Sequence, residues 1–157
     1  MDMTNAFDRV NLSFLADVLK EFGFSEEFVE LIQACTVGPW IAPLINGRPC
    51  KFFQSSRGLR QGCPLSPFLY IIMADSLSKN LEQCRRNSTL TGLSISRGTK
   101  RINHSLFADD TLLMGGASCI VEKRFKAILD SFMEVSGGLI NNDKCCLYSW
   151  KTPIRTL

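Results

Sequence analysis

The stretch Ser105-Leu106-Phe107-Ala108-Asp109-Asp110-Thr111-Leu112-Leu113-Met114 sets two adjacent carboxylates between apolar runs. This pattern predicts a β-hairpin with the aspartates at its tip. Adjacent carboxylates repel each other, so a hairpin that holds them together between hydrophobic strands suits a bound cation. An ordinary polar turn is the competing reading, because Asp tolerates turn conformations.

Working outward, the strand Ile102 to Phe107 delivers the aspartates and follows a short strand around Leu93 to Ser96 and a tight Arg97-Gly98 turn. Downstream, Ser118 caps a helix whose apolar stripe is Val121, Phe125, Ile128, Leu129 and Phe132. Gly137-Gly138 stops that helix before a last strand from Leu139 to Tyr148. Upstream, GLRQGCPLSPFLY at residues 58–70 is a loop feeding a long helix, with Leu65, Phe68, Leu69, Ile72, Met73, Leu77 and Leu81 at helical spacing. Proline is compatible with a first helical turn, and Gly58 and Gly62 leave the backbone free to approach a ligand.

Nearer the start, Asn11 caps a helix with Leu12, Leu15, Val18, Leu19 and Phe22 on one face, ended by Gly23. Ser25 caps the next, where Glu26 and Glu27 favour the first turn and Phe28, Leu31, Ile32 and Cys35 form the expected buried stripe before Gly38-Pro39. Asn46-Gly47 then signals a two-residue turn between Ile41 to Ile45 and Cys50 to Phe53.

The element order is β, α, α, hairpin, loop-α, hairpin, α, β, an α+β layering with helices collected on one face of a small antiparallel sheet. If the first strand lies beside the central hairpin, Asp2 converges with Asp109 and Asp110. Three carboxylates then suffice for two divalent ions about 3.5 to 4 Å apart, the arrangement that promotes in-line displacement at phosphorus in polymerases and nucleases.

At 157 residues and 45% hydrophobic content, one domain with a core is expected. No segment approaches the roughly 20 apolar residues needed to span a bilayer, so no membrane partner is expected, and the N-terminus carries no signal peptide pattern. The seven cysteines form no CxxC pair and the chain has a single histidine, which argues against structural zinc; they read as free, mostly core residues. Net charge is +3, with positives clustered at Arg57 and Arg60, Arg85 and Arg86, Arg97 to Arg101, and Lys123 to Lys126. Such clusters suit a phosphate backbone or, equally, a solvated face.

Four motifs in order resemble those of reverse transcriptases of the non-LTR (LINE-type) retrotransposons, particularly plant ones: DMTNAFDRV at 2–10, GLRQGCPLSPFLY at 58–70, FADD at 107–110 and SGGLINNDKC at 136–145. The resemblance spans almost the whole chain and implies a polymerase palm, a partial right-hand fold over residues 1–157. It implies that Asp2, Asp109 and Asp110 are the catalytic carboxylates, with Asp2 and Asp109 the main ligands of two Mg²⁺ ions, or Mn²⁺ in their place. Phe7 falls where the family places the aromatic ring that excludes a 2′-OH, with Ala6 leaving room beside it. Gln61 would contact the incoming nucleotide and templating base, with Gly62 allowing that approach, and Lys144 would serve the pyrophosphate leaving group. Read without the family, Phe7 is a core aromatic, Gln61 a loop brace and Lys144 a solvated strand residue. Asp8 is expected to cap or brace the first helix, and His104 to be structural. Arg57 and Arg60 are nucleic-acid contacts or surface charges.

The implied partners are an RNA template, a DNA primer and deoxynucleoside triphosphates, in nucleus and cytoplasm; oligomeric state is not legible. The chain departs from the family at Asn5, where relatives commonly carry Lys. It begins one residue before Asp2, and most of the fingers and the thumb are expected to be absent, so the isolated chain is expected to be inactive. The rival reading is a non-enzymatic remnant, either a nucleic-acid-binding fragment or a pseudogene product. Another palm enzyme, such as a cyclase, shares the carboxylates but does not explain Gln61.

Overall fold

The computed structural model describes residues 1–149; the last eight residues of the span expected as one domain lie outside the described residues. Helix α1 (Leu12–Glu21) starts where the Asn11 side chain accepts from the Ser13 and Phe14 N–H groups, filling two of the orphan donors of a first turn. Ser25 and Ser118 each accept one such N–H, from Phe28 and Val121, at the starts of α2 (Glu26–Thr36) and α4 (Cys119–Ser136). Helix α4 ends at Gly137 in the left-handed conformation. The long helix α3 (Ser66–Arg86) carries Pro67 in its first turn, where a missing N–H leaves nothing unpaired.

The core has two parts, and α3 serves both. Its first half, Leu69, Tyr70 and Met73, packs with Val10, Leu15, Leu19, Val29, Ile32 and Leu59. Its second half, Leu77 and Leu81, packs with Met3, Leu90, Leu129 and Phe132. Phe14 and Phe132 meet edge to face, centroids 6.0 Å apart, where the two parts touch. Glu82 receives Arg85, Arg86 and Lys100, which ties the 93–102 segment to α3; hydrogen bonds from Arg85 and Lys100 hold its carboxyl far below the usual range.

Strands form three separate antiparallel pairs rather than the single sheet expected: β1 (Trp40–Ile41) with β4 (Phe53–Gln54), β2 (Leu44–Ile45) with β3 (Arg48–Pro49), and β5 (His104–Phe107) with β6 (Asp110–Leu113). The class is still α+β. Asn46 and Gly47 both take positive φ in the β2–β3 turn, as the sequence predicts.

Three other expectations fail for identifiable reasons. In α2 the buried residues are Val29 and Ile32, whereas Leu31 is 58% exposed and Phe28 instead stacks on Phe24; a helix docked mainly on α1 needs only one buried row. Leu139 to Tyr148 is not a strand: Ile140 makes one bridge to Met3, then Asn142–Lys144 turns as a 3₁₀ helix, as expected of Asn and Asp, whose side chains favour turns. Leu93 to Ser96 likewise reduces to one bridge, Leu93 to Ile102. The seven cysteines are free, and none is fully buried. Among the described residues no helix is long and apolar enough to cross a membrane.

Candidate functional site

Residues 1–4 run between the β5–β6 hairpin and the segment after α4. On one side the Met1 ammonium donates to Thr111 O and the Thr111 N–H donates to Met1 O, both at 2.9 Å. On the other, the Thr4 N–H donates to Leu139 O at 2.8 Å and the Asn141 N–H to Asp2 O at 3.0 Å. Main-chain pairing thus joins three of the four motifs. Asp2 is half-buried, and its Oδ2 is buried without a hydrogen bond. Lys144 Nζ stands 3.5 Å from that oxygen, a distance that pairs charges without supplying a hydrogen bond. Lys144 itself is largely exposed, at the end of the 3₁₀ turn.

Phe107 pairs with Asp110, so Ala108 and Asp109 alone make the turn between β5 and β6. Ala108 has φ +53°, an unfavourable conformation for a residue with a Cβ. Asp109 is half-buried and Asp110 exposed. Below them on α3, Tyr70 donates to Met3 Sδ at 3.4 Å; burial, with the Asp109 charge, pushes its hydroxyl up to about 12. The Phe7 ring stacks on Tyr70, centroids 4.8 Å apart, and Ala6 packs against both parts of the core.

Among the described residues no three carboxylate, imidazole or thiol groups stand close enough to hold one metal ion. The motifs are backbone neighbours, but their carboxylates are not gathered into the compact trio expected. The orphaned Oδ2 of Asp2 is the donor that fits a cation.

The loop before α3 is seamed to the first motif: the Gly58 N–H donates to Val10 O at 2.8 Å and the Leu59 N–H to Phe7 O at 2.7 Å. A Cβ on Gly58 would lie 2.6 Å from Asp8 O, so only glycine permits this approach. Gln61 donates through Nε2 to Asp8 Oδ1 at 2.9 Å. Asp8 therefore braces Gln61 and not α1, whose cap Asn11 already supplies. Gly62 is exposed, with φ +78° and open space where a Cβ would be. Arg57 and Arg60 are exposed and make no ion pair among the described residues.

His104 is structural, as expected. Asn103 donates to Leu81 O, so its Oδ1 faces His104 Nδ1 at 2.7 Å as acceptor. This assigns the proton to Nδ1 and leaves Nε2 to accept from Ser78 at 2.7 Å. Serine, imidazole and amide are ordered as in a nucleophilic triad, but Ser78 sits mid-helix, where backbone N–H groups are spent on the helix and none is left for an oxyanion. Tyr70 and the Asp8 brace are the site residues that the sequence reading missed. Tyr70 was visible as an aromatic residue ending the 58–70 motif, and Asp8 as an acid beside Phe7.

A family model described as reverse transcriptase (RNA-dependent DNA polymerase) matches residues 1–157. The chain is 28% identical over 145 residues to the retrovirus-related Pol polyprotein of the R2DM element of Drosophila melanogaster, covering 92% of this chain and 13% of that one. It is 32% identical over 114 residues to a 149 kDa protein of the transposon TX1 of Xenopus laevis, covering 73% and 8%. It is 47% identical over 68 residues to an uncharacterized mitochondrial protein of Arabidopsis thaliana, covering 43% and 56%. The matches thus span from 8% to 56% of these relatives' own lengths. The chain belongs to the reverse transcriptase family, and its likeness is to polyproteins of non-LTR retrotransposons.

Proposed function

We propose that this chain forms the palm of an RNA-directed DNA polymerase, which adds deoxynucleoside triphosphates to a DNA primer along an RNA template. The observation that carries the reading is the buried, unbonded Oδ2 of Asp2, on a segment paired to the strand of Asp110. A buried carboxylate oxygen without a hydrogen bond is unfavourable unless a charge compensates it; Lys144 Nζ, 3.5 Å away, is that charge here, and in this reading a metal ion takes its place. In this reading Asp2 and Asp109 hold two Mg²⁺ ions, or Mn²⁺, and Asp110 adds negative potential. When bound, the ions polarise the attacking primer oxygen and stabilise the leaving pyrophosphate. Lys144 offers that leaving group a proton or a positive charge. Phe7, backed by Tyr70, excludes a 2′-OH, with room left by Ala6. Gln61 meets the nucleotide and the templating base, Gly62 lets the strand come close, and Arg57 and Arg60 take phosphates.

The 157 residues by themselves are inactive in this reading, because Asp2 is partnered by Lys144 and no compact carboxylate trio is present among the described residues. That same feature favours the second reading, a nucleic-acid-binding remnant without catalysis. Titrating Mn²⁺ against the chain by electron paramagnetic resonance separates the two. The polymerase reading expects binding that weakens about tenfold or more in Asp2→Asn; equal Mn²⁺ affinity in both proteins would sink it. Template-dependent extension by the purified chain, lost in Asp109→Asn, would overturn its inactivity.

A further inference from the structure

We infer that α2 and α4 carry the two halves of a contact between copies of this chain, the exposed face of α2 on one copy docking on the exposed face of α4 on another. Each helix buries one row against the core, Val29 and Ile32 on α2 and Leu129 and Phe132 on α4. Both pack on α1 and neither touches the other, so within one chain the two outer faces stay apart. The α2 face carries Glu27, Glu30, Leu31 and Ala34, and the α4 face Ile120, Lys123, Lys126 and Ala127; residues three and four apart share a helix face, and all eight are exposed. Leu31 is 58% and Ile120 64% exposed, so each face leaves one large apolar side chain in water. None of the four charges forms an ion pair among the described residues. Their spacings match. With the helices antiparallel, Glu27 meets Lys126 and Glu30 meets Lys123, since the two members of each set stand about 4.5 Å apart along their axis. The same register brings Leu31 and Ala34 toward Ile120, and the two alanines leave room for close approach. Pairing of like faces is opposed by the same charges: α2 on α2 sets carboxylate against carboxylate, and α4 on α4 sets ammonium against ammonium. The contact therefore joins unlike faces, reciprocally in a twofold pair or serially in a longer run. Exposed ion pairs contribute little affinity, so the apolar side chains hold the contact and the charges set its register. Lys123 and Lys126 alone would also suit a phosphate strand, but Asp130 stands one turn further along the same exposed face and Ile120 one turn before.

The contact uses no residue of the polymerase reading, so the two stand or fall apart. Its test is sedimentation of the whole chain over a concentration series reaching about 1 mM, where a contact worth about 4 kcal/mol is half-populated. The mean mass should rise above that of a single chain with concentration and fall back as salt is added. Two charge-reversed variants, Glu27→Lys with Glu30→Lys and Lys123→Glu with Lys126→Glu, should each self-associate about tenfold or more weakly, because like charges then face each other. Mixed in equal amounts they should associate again, since every contact between the two variants regains opposite charges. Glu27 lies in the first turn of α2, so circular dichroism checks that the variants fold. Ile120→Gln, at an exposed position, changes no charge and should weaken association about threefold by removing apolar surface. A chain that stays monomeric, reversed or Ile120→Gln variants that associate like the native chain, or a mixture that stays monomeric would each overturn the contact. Loss of affinity for an oligouridine strand in Lys123→Glu with Lys126→Glu, without any change in mass, would give the α4 face to nucleic acid and overturn it as well.

Discussion

Two hairpins of this chain turn over two residues each, and they are built to different standards. In the β2–β3 hairpin, Asn46 and Gly47 take φ +50° and +75°, and both residue types visit that region readily. In the β5–β6 hairpin the positive angle falls on Ala108, at +53°, immediately before Asp109. The first turn is the relaxed solution and the second holds its geometry against local preference. Strain of this kind persists only where the surroundings over-determine it, and it concentrates at functional sites. Here the surroundings are visible: the hairpin's second strand is pinned by reciprocal bonds between Met1 and Thr111, and its first by His104 on Ser78 and Asn103.

The contrast can be broken from either side. The largest effect is expected in the relaxed turn. Nothing lies within 4 Å of where a Cβ on Gly47 would be, so Gly47→Ala meets no clash and costs only the strain of a Cβ-bearing residue at positive φ, about 1 kcal/mol; amide exchange in β2 and β3 should quicken about fivefold, and no change would mean the turn is not closed in solution. The mirror substitution, Ala108→Gly, should stabilise β5–β6 by about 0.5 kcal/mol, since relief of the positive angle outweighs glycine's added chain entropy. Slower exchange at Thr111 and Leu113 would bear this out, and faster exchange would show that Ala108 is not strained.

The smallest effect is a response to acid that only the strained hairpin should show. Burial pushes the His104 imidazole down, so the unfolded chain, with His near its ordinary value of about 6.5, binds the proton more readily. The stabilisation is therefore present above that value and is lost as pH falls through the lower folded one. Exchange in β5 should quicken with acid across that window while β2–β3 stays flat. A His104 titrating at or above 6.5 by NMR would remove the explanation.

What the sequence discloses follows the same division. The caps Asn11, Ser25 and Ser118, the stops at Gly23 and Gly137, and the Asn46-Gly47 turn are local chemistry, and each is found where the residues place it. The α2 stripe misread as Phe28, Leu31, Ile32 and Cys35 depends on which row meets a neighbour, and apolar residues on both sides of α2 left the pattern ambiguous. The misread last strand shows apolar spacing outweighed by the turn-forming Asn141-Asn142-Asp143. The site lies beyond local reading altogether. Asp2 meets Lys144, and Gln61 meets Asp8, through pairings that no spacing encodes; the family's motif order drew Asp2 and Lys144 to one site, and nothing in the sequence drew Asp8 to Gln61.

That long reach bears on when the site comes into being. The bond from Met1 to Thr111 closes 110 residues of chain, and the bond from Arg9 to Gly137 closes 128. Contacts so distant are entropically the most expensive to close and tend to slow folding. The helices, with their local caps, have no such wait. During synthesis the protein would carry formed helices and a finished β2–β3 turn while its first motif still hung free, because the segment that flanks Asp2 on its far side, Leu139 to Asn141, is made only after α4.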